Sequence, residues 1–178
     1  MALSENAKEW IKDILSAVAI AAVVLFFLMP TIVQQSSMEN TLLTGDYLFV
    51  SRQEYKLFGK SPKLGDIIVF ESDLDYNGGK KLLVKRVIAV PGDTISISNG
   101  DVYLNGEKLK EDYLKDGYTT GEVPTITIPE GFLYCMGDNR LVSLDSRDPS
   151  VGLVSFGSVR GKAVFRLFPF KKIGGLYK

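Results

Sequence analysis

The stretch LLVKRVIAVPGDTISISNGDVYLNGE, residues 82–107, carries the pattern that decides the fold. Short runs of branched and apolar residues alternate with turn residues, which is typical of β-strands joined by tight turns. The Asn-Gly pairs at 99–100 and 105–106 supply the positive φ angles that hairpin turns require. The stretch therefore predicts consecutive antiparallel strands.

The same pattern continues on both sides of this stretch. It extends from DYLFV at residues 46–50 to GKAVFRLF at residues 161–168, with Gly, Pro, Asn and Asp between the runs. There is no fixed repeat and no low-complexity linker, and 46% of the 178 residues are hydrophobic, which is enough for one buried core. Residues 34–178 are therefore predicted to form one compact, mainly antiparallel β domain.

An uncharged apolar run precedes the predicted β domain. Residues 14–33 read ILSAVAIAAVVLFFLMPTIV, and about 20 apolar residues are what a transmembrane helix needs. The run is long for a cleavable leader, so it predicts a retained anchor helix. Lys8 and Lys12 precede it, whereas the first basic residue after it is Arg52. Because basic residues mark the cytoplasmic side, residues 1–13 are predicted to be cytoplasmic and the β domain extracytoplasmic, in a single-pass plasma-membrane protein.

Composition excludes several classes of function. Lys and Arg together number 21, as do Asp and Glu, so the chain lacks the basic excess of nucleic-acid-binding proteins. It contains no histidine, which removes the usual general base and the usual zinc ligand, and we expect neither a metal nor a cofactor. The single cysteine, Cys135, cannot form an intrachain disulfide and is predicted to be a buried strand residue. Any hydrolytic mechanism must use another base.

A serine and a lysine offer such a mechanism, because a neutral lysine amine can activate a serine hydroxyl. Ser36 and Ser37 directly follow the apolar run, and Lys85 lies in the strand-like run LLVKRVIAV. Strand alternation places Leu83 and Val87 on the same face as Lys85, where apolar surroundings would lower the pKa of its amine. Taken alone, however, the serines are better explained as a polar linker, and the lysine as one that extends its amine to water.

A third polar cluster lies in MGDNRLVSLDSRDP, residues 136–149. Its members Ser143, Asp145 and Arg147 are two residues apart, so an extended stretch would point all three to one side. Asp145 and Arg147 could then pair and brace the loop, which would leave the Ser143 hydroxyl available to another group. As an isolated string, the cluster is better explained as a charged surface loop.

In combination and in this order, the stretches SMENTL, GDYLFV, KRVIAVPGD, GDNRLVSLDSR and GKAVFR resemble the bacterial type I signal peptidases, the membrane-anchored Ser-Lys endopeptidases that remove signal peptides from exported proteins. The resemblance implies the antiparallel β catalytic domain of the Ser-Lys signal peptidase type. It implies that Ser37 is the nucleophile, that Lys85 is the general base and that Ser143 positions the lysine amine. Asp145 and Arg147 match the supporting ion pair. The stretch GDNRLVSLDSR opens with three residues that are expected to shape the site, Gly137, Asp138 and Asn139.

The resemblance also implies a substrate class and partners. Cleavage is expected after small residues in an Ala-X-Ala pattern, on signal peptides of secretory preproteins. Membrane lipid and the translocation channel are the further expected partners. Shallow apolar pockets for the small residues are expected to involve Met38, Leu42, Leu83 and Val84.

Two positions depart from the family pattern. Asn40 stands where the family often has proline, which is expected to be a turn substitution. Gln35 stands where the family often has serine or glycine, and a serine hydroxyl there assists the nucleophile amide in holding the oxyanion. The Ser37 amide is therefore expected to be one oxyanion donor, and the second donor stays open.

The proposed base sets a physical condition. A free lysine has a pKa near 10.4 and is almost wholly protonated at neutral pH, so the Lys85 pKa must fall by roughly two to three units. We expect burial on the strand face to lower it, with the Ser143 hydroxyl accepting from the amine and no carboxylate beside it.

The spacing predicts an active site at the membrane surface. Only residues 34–36 separate Val33 from Ser37, so the nucleophile would lie at most about 14 Å beyond the span. The segment FRLFPFKK, residues 165–172, is either a surface that rests on an anionic bilayer or a final core strand with a soluble tail.

Two alternatives belong to other classes. One is a catalytically silent, membrane-tethered β domain that binds a partner, and it is distinguished by whether Ser37 and Lys85 come within hydrogen-bond distance. The other is a self-cleaving Ser-Lys repressor-type protease, which should lack the anchor and carry a DNA-binding helical module. The apolar run and the absence of such a module disfavour the second alternative.

Overall fold

The computed structural model describes residues 4–55 and 59–177. Its first element is one long helix, α1 (Glu5–Phe27), whose first turn is capped by the Ser4 hydroxyl accepting from the Ala7 N–H at 3.3 Å. Residues Asn6–Phe27 have a mean hydropathy of 2.1 and bury no part of the apolar window against the rest of the protein. By length and composition this helix can cross a membrane.

The helix begins earlier and ends earlier than the predicted anchor at residues 14–33. The helix begins at Glu5 and ends at Phe27, and the next residues form a strand, β1 (Leu28–Ile32). Pro30 explains the end of the helix, because proline lacks the backbone N–H and disfavours helical geometry in the residue before it. The connection from the helix end to Ser37 could thus span about 33 Å if fully extended, which relaxes the 14 Å limit.

The part of the described chain that follows α1 is mainly antiparallel β structure, as predicted. The other strands are β2 (Tyr47–Ser51), β3 (Ile67–Tyr76), β4 (Gly79–Ala89), β5 (Thr94–Ser98), β6 (Asp101–Leu104), β7 (Glu107–Lys108), β8 (Val123–Thr127), β9 (Phe132–Met136), β10 (Val154–Ser155), β11 (Val159–Phe168) and β12 (Gly174–Gly175). In residues 4–55 and 59–177 there are also 3₁₀ turns at Ser36–Met38, Phe156–Ser158 and Phe170–Lys172.

These strands form two sheets. The larger has the order β1-β2-β11-β3-β4-β9-β10, with β12 beside β11, and the smaller has the order β7-β6-β5-β8. The predicted Asn-Gly turns are confirmed, because Asn99 and Asn105 have φ angles of 54° and 53° and join β5 to β6 and β6 to β7. Proline in β1 is tolerated because, among the described strands, β1 is an edge strand that pairs with β2.

Strand β4 carries the predicted base and lies in the interior of the larger sheet. Its neighbour β3 pairs with it from Ile67 to Tyr76, whereas β9 covers only its carboxyl-terminal part, from Arg86 to Ala89. Within the described strands, residues 79–85 of β4 therefore have one unpaired edge. Cys135, on the neighbouring β9, is free and fully buried, as predicted.

Candidate active site

Ser37 and Lys85 meet at the junction of a 3₁₀ turn and strand β4. Lys85 Nζ donates to Ser37 Oγ at 2.6 Å, although the two residues are 48 positions apart in the chain. Ser37 lies in the turn Ser36–Met38 and keeps 9% of its surface exposed, whereas Lys85 keeps 1%. The distance criterion that separates a Ser-Lys site from a catalytically silent domain is therefore met.

The strand places the Lys85 amine in apolar surroundings. Lys85 is paired with Ile68 of β3, and its same-face neighbours Leu83 and Val87 are buried in one apolar cluster. Burial is the main reason why the pKa of Lys85 falls from 10.5 to about 8. At pH 7 about a tenth of the amine is then neutral, a few hundred times more than for a free lysine. The expected direction and size of the shift agree with this value.

One part of that expectation was wrong. Asp145 lies close enough to Lys85 for its negative charge to raise the lysine pKa, so a carboxylate does stand near the amine. The ammonium group of Lys81 opposes this effect and lowers the pKa, as does the guanidinium of Arg147 to a smaller extent. Burial outweighs all of these charges.

The ion pair that was predicted from two-residue spacing is present. Arg147 Nε and Nη2 donate to the two carboxylate oxygens of Asp145 at 2.8 and 2.9 Å. Burial alone would raise the pKa of Asp145, but the Arg147 guanidinium and the Gly137 N–H, at 3.0 Å, stabilise the carboxylate and lower it. Arg147 also donates to the backbone carbonyl of Arg140 at 2.9 Å, so the pair braces the whole loop.

Ser143 was predicted to position the Lys85 amine. In the structure its side chain lies against Gly137. Among the residues that the structure describes, the buried Ser143 hydroxyl makes no hydrogen bond to the Lys85 amine, which donates to Ser37, and it instead helps to lower the pKa of Asp145. A methyl group on Gly137 would collide with Ser143 Oγ and with the carbonyl oxygen of Ser37. Glycine at 137 is therefore what allows these two serines to approach the same backbone.

Asp138 and Asn139 attach this loop to the rest of the site. The Asn139 N–H donates to the Ser37 carbonyl at 3.0 Å, and Asn139 Nδ2 donates to the Ser36 carbonyl at 3.2 Å. Asp138 accepts two bonds from Arg86, from Nε at 2.9 Å and from Nη2 at 2.7 Å. Arg86 was missed as a site residue, although a charged residue next to Lys85 in an apolar strand was a usable signal.

A cleft of about 440 Å³ opens beside the nucleophile. It is lined by Gln34, Gln35, Ser36, Ser37, Thr44, Lys81, Val142 and Leu144. None of the four predicted pocket residues is among these lining residues. Met38, Leu42 and Leu83 are buried in the core, and Val84 is half-buried and packs against it. Apolar side chains can form a pocket wall or part of the core, and these four pack in or against the core.

The arrangement supplies a nucleophile, a base and a space for substrate. Among the described residues, no group of three or more His, Cys, Asp or Glu side chains could hold a metal ion. A serine hydroxyl bonded to a buried lysine amine, next to an open cleft in an antiparallel β domain, is an arrangement that a serine peptidase without histidine can use.

A family model described as signal peptidase, peptidase S26, matches residues 7–168, and the chain belongs to this family of serine peptidases. It is 36% identical to a signal peptidase I of Bacillus licheniformis, over 93% of this chain and 90% of the relative. It is also 36% identical to signal peptidase I T of Bacillus subtilis, over 93% and 87% of the two chains. The activity of the chain is therefore signal-peptide cleavage by a serine peptidase.

Two further similarities extend beyond Bacillus. A probable signal peptidase I-1 of Synechocystis is 35% identical, over 95% of this chain and 86% of the relative. A crystal structure of a signal peptidase I from Enterococcus faecalis is 33% identical, covers 58% of this chain and 97% of its own, and has a TM-score of 0.49.

Proposed function

We propose that the chain cleaves signal peptides with Ser37 as the nucleophile and Lys85 as the general base. The observation that carries this proposal is the 2.6 Å contact between Lys85 Nζ and Ser37 Oγ, with the amine buried and its pKa lowered to about 8. A base with a pKa near the working pH both accepts and returns a proton efficiently.

The reaction then has two halves. In the first, neutral Lys85 takes the Ser37 proton while Oγ bonds to the scissile carbonyl carbon, and the resulting ammonium protonates the leaving amine as the C–N bond breaks. In the second, Lys85 takes a proton from water as the water oxygen bonds to the ester carbon, and it returns this proton to Ser37 Oγ as the bond between Oγ and that carbon breaks. The Ser37 N–H is the proposed oxyanion donor, and Gln35, which lines the cleft, leaves the second donor open.

The substrate is proposed to bind as an added strand on β4. Residues 79–85 have an unpaired edge beside the cleft, and an extended peptide can hydrogen-bond to such an edge. Alternate residues of a strand point to one side, so the residue before the scissile bond and the one two positions earlier face the cleft together. This supports an Ala-X-Ala type of specificity, with Val142 of the cleft and the half-buried Val84 of the open edge as proposed pocket walls.

The active site is proposed to work at the outer surface of the plasma membrane. The apolar part of helix α1, from residue 14 onward, is the proposed anchor, with residues 1–13 cytoplasmic and the β domain extracytoplasmic. Tyr47, Phe168 and Phe170 are exposed and pack edge to face, with ring centroids 5.9 and 5.5 Å apart, and Lys171 follows them. Aromatic rings beside basic residues suit contact with an anionic bilayer, so lipid is a proposed partner together with the translocation channel that delivers preproteins.

The test is processing of a preprotein by the purified full chain in detergent or lipid, with the new amino terminus mapped. Ser37→Ala should abolish processing, and the matched control Ser36→Ala should retain most of it, because only Ser37 Oγ contacts the Lys85 amine. Equal activity of the two variants would refute the assignment of the nucleophile. Failure of the unmodified chain to cleave after a small-X-small motif would favour a catalytically silent domain that binds a partner.

A further inference from the structure

A segment outside the catalytic strands reaches the back of the active site. We define the strap as residues 109–121, between β7 and β8, and the catalytic turn as residues 137–139. The Tyr113 ring of the strap lies 4.0 Å from Cζ of Arg86, the guanidinium that binds Asp138. Such stacking of a guanidinium on an aromatic face is attractive and fixes the plane of the guanidinium.

The strap makes a second contact on the other side of the catalytic turn. Glu111 forms an ion pair with Arg140, and the two side chains are only 4% and 1% exposed. Arg140 Nε donates to the Gly137 carbonyl at 2.8 Å, so the arginine holds the first residue of the turn. Tyr113 OH donates to Glu111 Oε1 at 2.8 Å and joins the two contacts.

These contacts form a closed ring around the catalytic turn. It passes, in order, through Asp138, Arg86, Tyr113, Glu111, Arg140 and the Gly137 carbonyl, and the chain from 137 to 138 closes it. The turn is the same one whose Asn139 N–H holds the Ser37 carbonyl at 3.0 Å. Buried charges that lose one partner are strongly destabilised, so each charged member of the ring depends on its own partners.

We propose that Glu111 and Tyr113 are positioning residues for catalysis, which rests on Ser37 and Lys85 being the catalytic pair. They touch neither substrate nor the reacting atoms. They act through Arg86 and Arg140, which hold the catalytic turn against the nucleophile turn. A misplacement of about 1 Å in reacting groups can lower a rate on the order of a hundredfold, so small shifts of the turn are sufficient to affect the rate.

The first test compares variants at Tyr113. Tyr113→Leu removes the ring under Arg86 and should lower kcat at least about tenfold per folded molecule, with KM within twofold. Tyr113→Phe keeps the ring and should retain most of the activity. The matched control is Tyr118→Leu, because Tyr118 is an exposed tyrosine of the same strap and should not affect kcat. The folded fraction is measured by circular dichroism, well below each Tm.

The second test removes the charge of Glu111 and measures local opening of residues 137–143. Glu111→Gln should lower kcat in the same way, whereas Glu107→Gln, at an exposed glutamate of β7, should not. Amide hydrogen exchange of residues 137–143 should become faster in Tyr113→Leu while exchange in β3 and β4 is unchanged.

Two results would overturn the proposal. One is a normal kcat per folded molecule in both Tyr113→Leu and Glu111→Gln, and the other is an activity loss that the unfolded fraction fully accounts for. Ser37→Ala is assayed in parallel. If Ser37→Ala stays active, the proposed catalytic pair is wrong, whereas an inactive Ser37→Ala beside normal strap variants refutes the positioning role alone.

Discussion

Replacing Lys85 with methionine should abolish peptidase activity and at the same time stabilise the fold. The Lys85 pKa falls from 10.5 to about 8 on folding, and each pKa unit corresponds to about 1.4 kcal/mol, so burial of the ammonium costs on the order of 3 kcal/mol at neutral pH. Methionine removes that charge at similar volume but loses the bond to Ser37 Oγ, worth about 1 kcal/mol. The net gain in the free energy of unfolding should be about 2 kcal/mol.

The pH dependence of this effect has a definite sign. Below pH 8 the lysine is protonated in both the folded and the unfolded chain, so the full cost of burial is present. Between pH 8 and 10.5 the unfolded chain binds more protons than the folded one, and the stability of the unmodified protein therefore rises with pH. Lys85→Met should lack this rise, so its advantage should be largest near pH 7 and should reverse above pH 10.5, where only the loss of the bond to Ser37 remains.

The assay is thermal unfolding of the full chain in one detergent at several pH values, with kcat/KM measured over the same range. At pH 7 the Tm of Lys85→Met should be roughly 5 °C above that of the unmodified protein. The unmodified activity should rise with pH through an ionisation near 8. Lys85→Arg, which cannot lose its proton, should be inactive at every pH. Substantial activity in Lys85→Arg, or a lower Tm for Lys85→Met at pH 7, would refute the argument.

Three further changes test other parts of the site. Gly137→Ala should abolish processing because its methyl group collides with the Ser143 hydroxyl, whereas Gly157→Ala has room for the methyl and should remain active in the same assay. Tyr177→Phe should lower the free energy of unfolding by about 1 kcal/mol in denaturant titrations, since its hydroxyl bonds backbone groups of β3 and β11. Val84→Ala should weaken the discrimination against larger residues at the cleavage site by about 1 to 3 kcal/mol per methylene, as read from mapped product termini. Unchanged product termini would show that Val84 is not a pocket wall.

Local patterns predicted the strands and the pairing of nearby residues well. Alternation with a period of two placed Lys85 on a buried face, and the same rule brought Asp145 and Arg147 together. These are short-range consequences of strand geometry, so no knowledge of tertiary packing was needed. The serine could be selected only through the combination of motifs, because a serine that follows an apolar run has no local feature that distinguishes a nucleophile from a linker.

Predictions that depended on tertiary packing were less successful. Apolar composition could not separate a pocket wall from the core, so Met38 and Leu42 were assigned to a pocket and are buried. The helix was extended past Phe27 because hydropathy does not register the backbone restriction that Pro30 imposes.

The strap shows most clearly why part of a catalytic site cannot be found from local sequence. Glu111 and Tyr113 lie among polar residues typical of a solvated loop, and nothing in their spacing indicates burial. Their effect arises because the smaller sheet brings the loop against Arg86 and Arg140, two arginines that would otherwise be buried with incomplete partners. The pKa of Lys85 depends on the charges of Asp145 and Arg147, which bond to the backbone of Gly137 and Arg140, so the loop that the strap holds must stay in a fixed place. Residues that support those charges from outside the catalytic motifs are therefore a physical requirement of a Ser-Lys site of this kind.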